Sequence, residues 1–272
     1  MPGYPAPLET LFAPVIQGAL KSIHPSWLPA VIAGLTAMNA VDPTYFHNLK
    51  EGGFLPSTGR LFAAFSLPLD QVKYVLVGEG PYPREESANG YCFMDGAVNN
   101  LWSSESHGGL SKKVNRATSL RNFIKMLLVA DGQLDVNNTT GEAMAHVSAL
   151  ARQENSRFIQ TLPELQKNMI AQGFLLLNAS LVYRPEIAPM RDARAWQLFL
   201  QAVFAALQTN QNMSDDNVIS LVLWGKIAEQ LKQIPASNFF PHIIAEHPYN
   251  LSFIANTTMQ EFFAPMKLLI KH

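Results

Sequence analysis

The sequence predicts an α/β fold: a three-layer αβα arrangement whose central four-stranded, parallel, twisted sheet carries helices on both faces. Three observations predict it. Four short apolar runs, at residues 72–77, 174–177, 218–224 and 242–245, are strand-sized, and each is followed by a glycine or a polar residue. Amphipathic stretches separate the later runs, as helical crossovers of a parallel sheet do. No internal repeat, linker or low-complexity tract divides the 272 residues, so 1–272 is expected to be one domain.

The first seventy residues read as mixed helix and loop, broken at Pro25, Pro29, Pro43 and Pro56. The run 72–77 ends at Gly78 and is the first strand. Its continuation, Gly-Glu-Gly-Pro-Tyr-Pro at 78–83, has too many glycines and prolines for regular structure and forms a tight, preshaped loop. Residues 99–107 are polar and read as loop. Between 111 and 125 lie Lys112, Lys113, Arg116, Arg121 and Lys125 with no Asp or Glu. The helical spacing of Leu120, Phe123, Ile124, Leu127 and Leu128 puts these cations at or before a helix start. A turn-rich stretch, 131–140, precedes helical sequence over 142–172, interrupted at Pro163. The strand 174–177 ends in Asn178. Helix 193–207 follows, then strand 218–224 ending in Gly225, helix 227–234, and strand 242–245 ending in Glu246-His247-Pro248.

Ligands of parallel α/β sheets bind outside the carboxyl ends of the strands. Here those ends hold the 78–82 loop, Asn178, Trp224-Gly225 and His247, with acids at Glu79, Glu85 and Glu86. Each has a structural explanation: an Asn after a strand is a common turn residue, a His before Pro a common loop residue, and Glu85-Glu86 a solvated pair. Their coincidence at successive strand ends points instead to a small-molecule or base pocket.

Composition bounds the function. Twenty Lys plus Arg against 21 Asp plus Glu give a net charge of -1, which excludes a uniformly basic coat but not a local basic patch. The 48% hydrophobic and 15% charged content suits a packed core, not a disordered chain. The single cysteine, Cys92, excludes an internal disulfide and any Cys-ligated zinc or iron–sulfur centre. The amino terminus, Met-Pro-Gly-Tyr-Pro-Ala-Pro, lacks the charged head and apolar run of a secretory signal. No window approaches the roughly 18–20 unbroken apolar residues of a membrane span. A soluble, cytoplasmic monomer with no membrane association is expected.

The stretch 54–93 (FLPSTGRLFAAFSLPLDQVKYVLVGEGPYPREESANGYCF) resembles the first catalytic motif of uracil-DNA glycosylases, Gly-Gln-Asp-Pro-Tyr-His followed by Gly-Leu-Cys-Phe. Thr118-Ser119-Leu120-Arg121-Asn122 is similar to the family's Pro-Ser-Leu-x-Asn, and Gly-Phe-Leu-Leu-Leu-Asn at 173–178 to its Gly-Val-Leu-Leu-Leu-Asn. Leu223-Trp224-Gly225 with Ala228 resembles Leu-Leu-Trp-Gly-x-x-Ala, and His247-Pro248-Tyr249-Asn250-Leu251-Ser252 resembles His-Pro-Ser-Pro-Leu-Ser. Any one of these is weak, but five in the family's order are specific.

The resemblance implies a metal-free, cofactor-free base-excision glycosylase acting on DNA that contains uracil or a related damaged base. It implies that Phe93 stacks on the extruded uracil, Asn178 reads its amide edge, and Tyr82 fills the space a thymine methyl would need. Backbone around Glu79 and Gly80 would bind the carbonyl next to the scissile bond, and a neutral His247 would donate to that oxygen as charge develops. Leu251 would wedge into the duplex, and Ser119 would grip a phosphate. These residue types fit the chemistry: an oxocarbenium-like sugar and an anionic base need a preorganised donor and a dry pocket, reached by base flipping.

The pattern is broken at four places. The family's water-positioning Asp falls on Gly80, its His after Tyr on Pro83, its Ser-Pro on Tyr249-Asn250, and its small residue after Trp-Gly on Lys226. Lys226 and Tyr249 therefore become candidate DNA contacts, with Lys112, Lys113 and Arg116 of the basic cluster. The loop Gly78-Glu79-Gly80-Pro81 looks closer to the Gly-Glu-Ala-Pro of the superfamily's iron–sulfur branch, and Glu85 is the candidate catalytic carboxylate. Residues 94–118 and 131–169 are longer than the family's usual segments. Two readings follow: an active glycosylase, and a catalytically degenerate glycosylase-fold module that binds DNA or protein. A third, an unrelated nucleotide-binding enzyme, lacks any GxGxxG or GxxxxGK[ST] phosphate loop.

Overall fold

A computed structural model describes residues 14–271 apart from 58, 106 and 213–217; the amino-terminal heptapeptide read above for a signal lies outside them. In chain order it contains α1 (Pro14–Leu20), α2 (Leu28–Val41), α3 (Tyr45–Gly52), β1 (Tyr74–Gly78), α4 (Lys112–Arg116), α5 (Thr118–Ala130), α6 (Gly141–Ala151) and α7 (Leu162–Ala171). It continues with β2 (Phe174–Asn178), α8 (Pro189–Asn212), β3 (Ser220–Trp224), α9 (Ile227–Leu231), β4 (His242–Ala245) and α10 (Thr257–Phe263). The fold is the expected three-layer αβα type around a four-stranded parallel sheet, in the order β2-β1-β3-β4. Among the described residues no helix is long and apolar enough to cross a membrane.

The chain divides into two compact units. The first comprises Met1–Asp95, Gly173–Val222 and Ile227–Ile243; the second comprises Gly96–Gln172, Leu223–Lys226 and Ile244–His272.

In the first unit, β1 and β2 run in register from Tyr74↔Phe174 to Gly78↔Asn178, and their central residues are buried. Gly173 opens β2 at φ +89°, where a Cβ would lie 2.8 Å from the Gln71 carbonyl. Its own carbonyl accepts from both Lys73 and Tyr74. Helix α2 packs against α8 so closely that a Cβ on Gly34 would lie 2.9 Å from the Phe199 Cα. Phe199 in turn stacks on Phe62, and Trp27 meets Phe65 edge-on. Full burial of each such ring contributes roughly 1.5–3 kcal/mol.

In the second unit, α5 buries Leu120, Phe123, Ile124, Leu127 and Leu128, the stripe its spacing predicts. Phe123 contacts both Trp224 and Phe263, and Trp224 packs edge-on against Phe253.

The structure moves several expected boundaries. The helical stretch 142–172 is broken at 152–161, not at Pro163. That proline sits in the first turn of α7, where its missing N–H costs nothing, behind a Thr161–Glu164 capping box. Strand β1 begins at Tyr74 because Val72 closes a 3-10 turn. Strand β3 begins at Ser220, the Ile219 N–H being taken by the Gln211 side chain. Helix α8 is longer than expected, and α9 stops at Leu231 ahead of the turn Pro235–Phe239.

Candidate functional site

In the first unit, the last register pair of β1 and β2 is Gly78 opposite Asn178. Only glycine fits there, because a Cβ would lie 2.8 Å from Asn178 Oδ1 and 2.9 Å from the Cys92 Cβ. Asn178 is 3% exposed, and its Oδ1 is buried without a hydrogen-bond partner among the described residues. An unpaired buried acceptor costs about 1–3 kcal/mol. A polar group held at that cost points to a donor delivered by a ligand.

The irregular segment after β1 returns to both strands at Cys92. Its N–H donates to the Leu176 carbonyl at 3.1 Å and its Sγ–H to the Leu76 carbonyl at 3.1 Å. Burial pushes the thiol well above its usual range, so it acts as a hydrogen-bond donor and not as a nucleophile. Phe93 follows at φ +65°, inside a three-residue turn closed by Met94 N–H to Cys92 O at 2.8 Å. That conformation costs a non-glycine residue on the order of 1–3 kcal/mol and gathers at functional sites. The Tyr82 hydroxyl donates to the Phe93 carbonyl at 3.3 Å, tying together the two predicted base-pocket rings. Burial, and then the Asp95 carboxylate, push the Tyr82 phenol up, so it remains a neutral donor. Asp95 is itself 4% exposed and pairs with Arg84 at 3.2 Å, clasping the segment across its eleven-residue span.

Gly80 is exposed, and a Cβ placed on it would find nothing nearer than the Ser180 carbonyl at 3.7 Å. Neither its backbone nor its surroundings demand glycine. The Gly78 and Glu79 carbonyls accept from Ala179 and Ser180, which fixes the loop base. Glu79, Glu85 and Glu86 are exposed; Glu85 Oε1 accepts from Ser57 Oγ at 2.9 Å. Tyr82, Phe93, Gly78 and Asn178 are thus bound into one hydrogen-bonded and packed group, whereas Glu85 is tethered to residue 57.

In the second unit, Gly225 adopts φ +70°, and a Cβ there would lie 2.9 Å from the His247 Cβ. The Tyr249 N–H donates to His247 Nδ1 at 3.1 Å. An N–H aimed at Nδ1 makes that nitrogen the acceptor and leaves the ring proton on Nε2 of the exposed imidazole. The loop behind it is held by Asn122, 1% exposed on α5, whose Nδ2 donates to the carbonyls of Pro248, Tyr249 and Asn250 at 2.8, 3.3 and 3.3 Å. From this held backbone Tyr249 and Leu251 each stand 68% exposed. Ser119 lies one turn before Asn122 on the same face of α5, and Lys226 is exposed beside Gly225.

The basic cluster does not sit before a single helix. Lys112, Lys113 and Arg116 form their own short helix α4, and Arg121 and Lys125 lie within α5. Lys113, Arg121 and Lys125 donate to the carbonyls of Ala97, Asn115 and Thr139. Sequence reasoning gave no role to two buried residues that hold these loops. Asn122 is legible as an amide interrupting an apolar helical stripe; Asp95 carries no local signal, since its burial depends on Arg84 across the loop. Among the described residues no group of three His, Cys, Asp or Glu could hold a metal ion.

No family model matches the chain. Over 231 residues, 85% of this chain and 78% of the relative, it is 25% identical to a uracil-DNA glycosylase of Corynebacterium efficiens. Over 219 residues, 76% of each, it is 27% identical to uracil-DNA glycosylase 2 of Streptomyces coelicolor. The crystal structure of wild-type UNG from Nitratifractor salsuginis superposes with a TM-score of 0.84 at 35% identity, covering 99% of this chain and 100% of that one. A mimivirus UNG Y322L complex with UGI shares the fold at a TM-score of 0.51 and 18% identity, covering 86% of this chain and 73% of that one.

Proposed function

This chain belongs to the uracil-DNA glycosylase superfamily as a divergent member of that hydrolase lineage, and from that premise we propose that it excises uracil from DNA by hydrolysing the N-glycosidic bond of a flipped-out nucleotide. The observation that carries the reading is the buried, unpaired Asn178 Oδ1. Uracil offers an N3–H donor flanked by carbonyls, so Oδ1 accepts from N3–H while Nδ2 donates to O4. Cytosine turns an unprotonated N3 toward the same oxygen and is refused. Phe93 stacks on the base, and Tyr82 closes the edge that a 5-methyl group would occupy.

When the C1′–N1 bond breaks, its electron pair leaves with the base and negative charge gathers on O2. The Nε2–H of His247 donates to that oxygen, a contact that strengthens only as charge develops. Water adds to C1′ and gives its proton to a carboxylate, assigned here to Glu85. Leu251 fills the vacated stack, Tyr249 stacks beside it, and Ser119, Lys226 and the α4 cations meet phosphates. The direct test is incubation with labelled uracil-containing oligonucleotides followed by alkaline cleavage of abasic sites. Strand scission is expected, and its absence removes the activity.

Gly80 favours the second reading, a module that binds DNA without cutting the glycosidic bond. The open space around its Cα makes the test clean. Gly80→Asp is expected to fold normally and to raise excision, while Glu85→Ala lowers it in the native background. No activity in either the native protein or Gly80→Asp, with folding confirmed by circular dichroism, removes the enzyme reading and favours the binding module.

Tyr82→Ala is expected to admit thymine, because the ring removed is the one held beside Phe93. The measurement is release of thymine from T:G duplexes. Full uracil activity with no thymine release would place Tyr82 outside the pocket.

A further inference from the structure

The second unit contains a cleft of about 730 Å³. Apart from Lys125 of α5, its lining residues come from within the two stretches the sequence marks as long. Lys112 and Arg116 are four residues apart on α4 and share a face; Lys125 lines the cleft from α5 with its ammonium on the Thr139 carbonyl. Two carboxylates also line the cleft. Glu105 contacts His107 Nε2 at 2.9 Å, and Glu142 lines the cleft with Lys112, Arg116 and Lys125. Lys125 is half-buried, and burial together with Arg121 lowers its pKa. An anion in the cleft offsets that cost. Gly108 and Gly109 both adopt positive φ, and nothing lies within 4 Å of a Cβ built on Gly109, so a ligand can approach bare backbone beside buried Leu110 and Met144.

We propose that this cleft binds a phosphate-bearing ligand of nucleotide size, with Lys112 and Arg116 as phosphate contacts and Gly109, Leu110 and Met144 under the organic part. The volume falls within the roughly 300–1,000 Å³ of small-ligand sites. Lys112 and Arg116 are also α4 cations placed on DNA phosphates above, so binding of a strand here rests on that reading, whereas binding of a free nucleotide does not. Lys113 and Lys125 are excluded as direct contacts, their ammonium groups being turned to the Ala97 and Thr139 carbonyls.

The test uses the full chain and two uracil-free probes, thymidine monophosphate and a thymine-only 12-nucleotide strand, followed by amide NMR and calorimetry. Either probe is expected to shift the Gly108 and Gly109 amides, and Lys112→Ala/Arg116→Ala, both exposed positions, to weaken that probe about tenfold or more. Binding of the mononucleotide identifies a free nucleotide as the source; binding of the strand alone identifies a DNA backbone. In the strand case the slope of log affinity against log salt falls by roughly 1.4, two contacts at about 0.7 each. Lys113→Ala is expected to leave the Gly108 and Gly109 shifts in place. Unmoved amides, affinity unchanged in the double variant, or inorganic phosphate binding as tightly as both probes would each overturn the proposal.

Discussion

Asn178→Ala is expected to lower uracil excision by about 10²–10³-fold while changing folding stability by less than about 1 kcal/mol. The two halves of this result have one cause. The Asn178 carbonyl has no partner among the described residues, so its removal forfeits no hydrogen bond to them and relieves a desolvation cost that offsets the small void left behind. Asn122 is the control. It is equally buried, but its amide serves three carbonyls and accepts from Arg121 Nε at 3.3 Å. Asn122→Ala should therefore cost about 1–3 kcal/mol by thermal or urea unfolding. Two buried asparagines thus separate into one that serves the fold and one that serves a ligand. An unfolding midpoint for Asn178→Ala as low as that of Asn122→Ala would mean the Asn178 oxygen is structurally engaged, and the recognition argument would fail.

His247→Ala is expected to cost about 10²–10³-fold in kcat with KM little changed, the size of losing one donor to a developing anion. The tautomer sets this expectation: the Tyr249 N–H occupies Nδ1 and leaves Nε2–H to donate. His247→Gln, which keeps an amide donor, should recover part of the loss. Gly225→Ala offers an indirect route to the same defect, because its new Cβ must push the His247 side chain aside and adopt an unfavourable positive φ. A fall in kcat/KM carried by KM alone would make His247 a binding residue and not a stabiliser of charge.

The basic cluster shows how far reading along the chain extends. Five cations without an acid between 111 and 125 look like one phosphate-facing patch. Folding turns three of them to backbone carbonyls, and Lys112 and Arg116 remain exposed on one face of α4. Charge is written in the sequence, but the direction of a long flexible side chain is decided by which carbonyls the fold leaves within its reach. Pro163 follows the same logic at the level of backbone. It marks a helix boundary, and only the Thr161–Glu164 capping box decides that the boundary is a beginning.

The sequence by itself determined the four strand runs, their parallel connection through helices, the residues at their carboxyl ends, and the ordered motifs that identify the superfamily. All of these are local, because apolar period and turn chemistry act within a few residues. Tertiary structure alone decided that the Asn178 oxygen goes unpaired, that Phe93 sits in a positive-φ turn roped to Tyr82, that Asp95 is buried against Arg84, and that Gly80 has room for a side chain. Each of these is a statement about which polar groups, rings or spaces meet across many residues of chain. Such meetings are set by the packing of the whole unit, and no window of sequence contains them.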